Sequence, residues 1–330
     1  MGSSAISSGE ALPLARYRFD IRLIDPIRLP DYAGSLIRGQ LGASLRRIAC
    51  MTGQRRCEGC PLLRTCPYPA IFETPAPASH TLQRFSEVPN PYVVEPPPLG
   101  ARVVEAGGML SFGLVLIGRA LDQLPLIAYA MQRALESGLG KQRSRASIDD
   151  IMLEHSTGQT SIWDHDSRRV LSHDAALTVP SAEDKPSLTL RFATPLRLQH
   201  QGRPLDAEEL TPRRLITALM RRANLLFDLH ANRPGLIEAP SELARLAEGL
   251  VDERDLRWRD WTRYSSRQQA EMKLGGVLGT WRLEGNLSPF YSLLWLGQWL
   301  HVGKNATMGL GRYTLEAMPD RVQTETEAIS

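Results

Sequence analysis

Two successive βαββαβ units, an α+β fold, are the architecture that the sequence predicts. Three observations predict it. The segment from Ser187 onward reads as strand, helix, strand, strand, helix, strand. The segment from Tyr17 to Ser172 fits the same order less cleanly, around a stretch rich in Cys and Pro. Finally, 330 residues with 42% hydrophobic and 23% charged side chains suffice for about two packed cores and exclude a disordered chain.

The elements follow in order. Tyr17, Phe19, Ile21 and Leu23 alternate with Arg18, Asp20 and Arg22, which predicts a half-buried strand over Tyr17–Ile24. After Pro26 and Pro30, Leu36, Ile37, Leu41, Leu45 and Ile48 recur at helical spacing and predict a helix over Tyr32–Cys50. Arg38, Arg46 and Arg47 occupy its other face. Residues from about 50 to 98 read as an irregular insertion with one extended piece near Tyr92–Val94. Met109–Gly118 reads as a buried strand, and Leu124–Leu135 as a helix stopped by Gly138 and Gly140. Thr160–Asp164 and Arg169–Ser172 flank His165-Asp166-Ser167, the signal for a closing hairpin.

In the second unit, Leu188, Leu190 and Phe192 alternate as a strand over Ser187–Gln199. Thr211 is the expected N-cap and Pro212 the first residue of a helix running to His230. Leu256–Tyr264 and Gly276–Leu283 are expected strands, Pro289–Leu300 an aromatic-rich helix and Met308–Leu315 the last strand. The expected organisation is therefore a flexible leader (1–14), a ferredoxin-like (RRM-like) domain (15–183) with the insertion, a second such domain (184–318) and a flexible tail (319–330).

No apolar run approaches the roughly 20 residues a membrane span needs, and Met1–Glu10 lacks a basic and an apolar signal region. A cytoplasmic protein without a membrane partner is expected. The net charge of +3, from 39 basic and 36 acidic residues, names no partner by itself. Only Lys141, Lys185, Lys273 and Lys304 are lysines; the other basic residues are arginines. The planar guanidinium suits phosphates and unpaired bases, although a GC-rich coding sequence gives the same bias.

Two motifs carry chemistry. Cys50, Cys57, Cys60 and Cys66, the four cysteines of the chain, form C-x6-C-x2-C-x5-C. Four thiolates at close range match a structural zinc site, with an iron–sulfur cluster as the alternative. The second motif is Leu300–Tyr313, LHVGKNATMGLGRY. Gly303, Gly309 and Gly311 would let backbone approach a phosphate, with Lys304 and Arg312 supplying charge. A glycine-rich turn ending a helix explains the same residues more plainly.

Pro30–Leu45, the cysteine stretch followed by Pro67-Tyr68 and Phe72-Glu73, Arg263–Gln268 (RYSSRQ) and Leu300–Tyr313 together resemble CRISPR precursor-RNA-processing endoribonucleases of the RAMP superfamily. The resemblance runs from about Tyr17 to Leu315. It implies two ferredoxin-like domains and binding of CRISPR repeat RNA. It also implies cleavage with no catalytic metal: the ribose 2′-OH attacks the adjacent phosphate, giving a 2′,3′-cyclic phosphate and a 5′-OH, and the mature crRNA often stays bound. Other CRISPR effector subunits are possible partners. Such chemistry needs a base, an acid and cations. Histidine suits the first two roles, and His301, beside the glycines and three residues from Lys304, is the first candidate; His200, after a strand, could be a loop base but reads more simply as a turn residue. Tyr32 matches a catalytic tyrosine position in some relatives. RNA contacts are expected at Arg38, Arg46, Arg263, Tyr264, Arg267, Gly303, Gly309, Gly311 and Arg312. The Arg213, Arg214, Arg221 and Arg222 pairs read more simply as a solvated helix face. Residues 17–79 contain no histidine, whereas many relatives carry a catalytic one in or just after the first helix. That departure keeps a non-catalytic crRNA-binding subunit as the alternative; a zinc-stabilised DNA-binding protein would leave the duplicated plan unexplained.

Overall fold

The computed structural model describes residues 5–77, 88–155, 158–181, 185–265 and 270–316, with the side chains of 262–273 outside that description. The first unit comprises β1 (Leu14–Leu23), α1 (Gly34–Ala49), β2 (Tyr92–Glu95), β3 (Met109–Ile117), α2 (Leu124–Ser137) and β4 (Ala146–His155). Its antiparallel sheet runs β2-β3-β1-β4, with Gly158–Ser161 added at the β4 edge. The second unit comprises β5 (Ser187–Leu196), α3 (Pro212–His230), β6 (Val251–Arg259), β7 (Gly276–Glu284), α4 (Tyr291–Leu300) and β8 (Tyr313–Glu316). Its sheet runs β6-β7-β5-β8. Each sheet thus places its second, third, first and fourth strands side by side, and the fold is a tandem ferredoxin-like one.

Alternation drives both units. Tyr17, Phe19, Ile21 and Leu23 of β1 point inward and share a core with Ile37, Leu41 and Leu45 of α1 and Ile127, Met131 and Leu135 of α2. Each such side chain contributes roughly 1.5–3 kcal/mol on burial. On the outer face Arg18 pairs with Asp20 at 3.0 Å and Arg22 with Asp149 at 2.9 Å. In α3 the Thr211 hydroxyl accepts from the Arg214 amide at 3.3 Å, and Pro212 occupies a position whose N–H would have no helical partner. The apolar stripe Leu215, Leu219, Ala223 and Leu226 meets Leu190, Phe192, Trp281 and Leu296 in the second core. Val93, Val115 and Ile117 from the first unit join this second core, so the units are fused through buried surface.

Several expectations need correction. Residues 5–14 are not a flexible leader: Ala5, Ile6, Leu12 and Leu14 are buried, and Ala11–Leu12 pairs with Leu177–Thr178. The apolar residues of this stretch are too few and irregularly spaced to announce an element. The insertion contains a short helix, Pro67–Phe72, and its extended piece is the full second strand of the sheet. The fourth strand is β4, upstream of the expected hairpin. Asp149 is an extra residue there, because Ile148 faces Ile21 while Asp150 faces Asp20. This bulge moves the inward set from Ala146 and Ile148 to Ile151 and Leu153, and so hides the alternation. The hairpin around His165 survives only as Trp163–Asp164 against Arg169–Val170. In the second unit β6 stops at Arg259, and Thr262–Ser265 instead pairs with Ala270–Lys273. The expected tail, 319–330, lies outside the described residues. No helix among the described residues is long and apolar enough to cross a membrane.

Candidate nucleic-acid cleft

The glycine-rich turn between α4 and β8 is wedged between the two units. The Val302 amide donates to Gly311 O at 3.2 Å, and the Gly311 amide donates to Pro195 O at 2.8 Å. The Thr194 hydroxyl donates to Gly309 O and accepts from the Arg312 amide, at 2.7 and 2.8 Å. Gly309 has φ +92°, and a side chain there would strike Val94 O, so the close approach of the turn to β2 requires glycine. The Lys304 amide donates to Arg197 O at 2.9 Å, and Gly303 forms a parallel bridge with Arg197. The turn is thereby held open toward one side, where Lys304 is exposed.

On that side lies a cleft of about 3430 Å³. One wall is α1 with Arg38 and Arg46, the other is α3 with Arg213, Arg214, Arg221 and Arg222, and residues 303–308 lie between them. Arginines and lysines outnumber carboxylates thirteen to five among its described lining residues. The α3 arginines, expected as a solvated face, therefore line an interdomain groove. Arg222 donates to Leu300 O at 2.7 Å, and burial pushes its pKa down to about 10. Arg197 joins the lining while donating to Gly275 O at 2.6 Å. Such a surface attracts a polyanion and repels a cationic peptide.

The expected site residues divide. Lys304 and Gly303 line the cleft, as do Arg38 and Arg46. Arg38 sits over the Phe72 and Tyr92 rings at 5.4 and 5.8 Å, and Arg46 over Tyr68 at 5.6 Å. His301 is elsewhere. Its backbone, at φ +57°, turns the ring inward; it is fully buried, with Nε2 3.0 Å from Glu95 Oε1 and Nδ1 3.2 Å from Leu310 O. Burial lowers its pKa, against the opposing hydrogen bond and charge of Glu95. It does not face the cleft, which corrects its expected placement beside a reacting phosphate. Glu95 also takes Arg16 at 3.0 Å, with Arg312 3.9 Å away. Burial would raise its pKa, but the charges of Arg16 and Arg312 and the His301 hydrogen bond prevail and hold it well below the usual carboxylate range. Gly309, Gly311 and Arg312 thus serve this seam.

Tyr32 lines the cleft yet is 6% exposed; its hydroxyl donates to Met308 O and its ring stacks on Trp261 at 5.5 Å. Burial raises its pKa above the ordinary tyrosine range, and its hydroxyl ties the first unit to the second through Met308. Arg263 and Tyr264 lie on the Thr262–Ser265 strand, but their side chains, and Arg267 entirely, are outside the described residues. His200, in the two-residue hairpin Gln199–His200/Arg203–Pro204, is exposed and is the one histidine among the described residues lining the cleft. No fixed spacing from the glycine motif would have singled it out; only its position after a strand did.

The four cysteines all line one small cavity of about 20 Å³ at the end of α1. Among the described residues, no three His, Cys, Asp or Glu side chains stand close enough together to hold a metal ion.

Residues 12–175 match a family model described as an N-terminal domain, AF_1859_N, and residues 190–313 match one described as CRISPR-associated endoribonuclease Cas6. Among solved structures, a chain of a partial Cas6-RT-Cas1–Cas2 complex aligns at 15% identity and TM-score 0.55, over 94% of this chain and 47% of that one. This chain thus spans about half the length of that relative. A Cas6 product complex aligns at 18% and 0.54 over 93% and 100%, and Cas6 of Thermus thermophilus at 17% and 0.53 over 93% and 99%. No curated protein matches. Duplicated ferredoxin-like domains enclosing a basic cleft define the class. Residues 190–313 thus match the Cas6 endoribonuclease family, and the chain as a whole shares its fold with solved Cas6 structures.

Proposed function

We propose that the chain is an endoribonuclease that binds CRISPR repeat RNA in the α1–α3 cleft and cuts precursor crRNA into guide units. The observation that carries this reading is the convergence of Lys304, His200 and the two arginine-bearing helices on one groove beside the glycine-rich turn. RNA brings its own nucleophile, so the protein need only align it, move two protons and offset charge. The 2′-OH gives its proton to a base and attacks the adjacent phosphorus. The P–O5′ bond breaks, and the leaving oxygen takes a proton, leaving a 2′,3′-cyclic phosphate and a 5′-OH. His200 is the candidate acid–base, and Lys304 with the neighbouring arginines offsets the charge developing on the phosphoryl oxygens. This reaction consumes no metal-bound water, and cleavage in EDTA is expected. The mature guide remains a ligand of the same groove, through which other CRISPR effector subunits would meet it.

The test is single-turnover cleavage of end-labelled repeat RNA in EDTA. His200→Ala and Lys304→Ala are each expected to slow cleavage at least about tenfold with binding nearly kept. A 2′-deoxy substitution at the scissile ribose should abolish it. Tight binding with intact RNA in the unmodified protein would favour the second reading, a non-catalytic crRNA-binding subunit. The absence of histidine from residues 17–79 is the observation on its side.

A further inference from the structure

We propose that Cys50, Cys57, Cys60 and Cys66 bind one structural zinc ion that fastens the end of α1 to the helix Pro67–Phe72. Three features point to it beyond the spacing. All four residues surround one cavity, although 50–66 holds no regular element beyond the flanking helices. Two tight turns supply three of the four ligands, and Cys66 at the start of Pro67–Phe72 the fourth. In Cys50–Gly53, the amides of Thr52 and Gly53 are directed at Cys50 Sγ, with Gly53 at φ +65°. In Cys57–Cys60, the Cys60 amide donates to Cys57 O at 3.0 Å, with Gly59 at φ +75°. Amides aimed at a sulfur are what a bound thiolate requires. The Thr52 hydroxyl bridges the turns, 3.9 Å from Cys50 Sγ and 3.6 Å from Cys60 Sγ. Third, Arg46 and Arg56 line the cavity, supplying positive charge to offset the −2 of a zinc tetrathiolate.

The sulfurs do not yet meet, so binding would draw them inward to the Zn–S distance of about 2.3 Å, each thiol releasing its proton to solvent. Because Cys50 caps α1 and Cys66 caps Pro67–Phe72, the ion would fix the platform on which Arg38 rests: Phe72 stacked on Tyr92 at 4.6 Å.

Elemental analysis of the full chain, purified without chelator, is expected to give one zinc per chain. An organomercurial should release it as the thiols are titrated. Protein refolded with Co(II) should show thiolate charge-transfer absorption and the d–d bands of a tetrahedral four-sulfur site, and Cys60→Ser should lose both zinc and those bands. Metal well below one per chain with four freely reactive thiols would overturn the proposal. So would a visible chromophore with acid-labile sulfide, or a cobalt spectrum without tetrahedral bands. The cobalt measurement keeps the question decidable should the Cys60 variant not fold, and none of these readouts depends on RNA cleavage.

Discussion

His301 illustrates what a single residue's surroundings decide. Its position in HVGK, beside three glycines, makes it the first candidate for proton transfer, yet its positive φ turns the ring into the seam, against Glu95. His301→Ala removes one donor from a buried carboxylate and should lower unfolding free energy by about 1–3 kcal/mol in denaturant titrations. The rate per folded molecule should fall less than in His200→Ala; the reverse ranking would return His301 to the reacting centre. A second buried histidine gives a pH prediction. His230 Nε2 lies 2.7 Å from Pro89 O, and burial lowers its pKa to about 4, below the ordinary 6.5. The unfolded chain therefore binds the extra proton first. Stability is complete above pH 6.5 and declines as pH falls toward 4, by up to about 3 kcal/mol from this residue. His230→Gln should flatten that slope in denaturant midpoints measured across the range. His301 and Glu95, both shifted downward, act in the same direction, Glu95 below the ordinary carboxylate range.

Among the elements, α3 is the most legible and the most easily misread. Its span and its cap follow from Thr211, Pro212 and the apolar stripe. What the sequence could not convey is that the polar side of this helix faces α1 across a groove, because helical period distinguishes inside from outside but not open solvent from a cleft. If Arg214 and Arg221 contact phosphates, replacing both with Gln should weaken RNA binding across unrelated sequences. It should also reduce the slope of log affinity against log salt by about 0.7 for each phosphate no longer neutralised. An unchanged slope in filter-binding titrations would place the RNA elsewhere. β4 escapes sequence reading for another reason: the bulge at Asp149 breaks the period of two on which strand recognition depends. β2 is legible only as an isolated extended piece, because Tyr92, Val93, Val94 and Glu95 are all buried, leaving no alternation to mark it as a strand of the sheet.

At the scale of the molecule, the duplicated order of elements is readable, since each unit repeats the same patterns of two and 3.6. The join is not. The second core recruits Val93, Val115 and Ile117 from the first unit, and buried ties such as Tyr32–Met308 and His301–Glu95 cross the boundary. Contacts of this kind link residues far apart in sequence and leave no local trace. Calorimetry should therefore record one cooperative transition, with matching calorimetric and van't Hoff enthalpies. Two resolved transitions would show that the units fold separately.

The stretch ahead of β1 has a consequence for how the protein is made. The Ala5 amide donates to Pro289 O at 2.9 Å and the Ile6 amide to the Ser292 hydroxyl at 3.1 Å. Residues translated early therefore bind partners translated 286 positions later. At about 5–20 residues per second those partners arrive on the order of tens of seconds afterwards, and until then two apolar side chains destined for burial stay in water. A nascent chain must keep this segment waiting, undocked, until the ribosome has nearly finished the second unit.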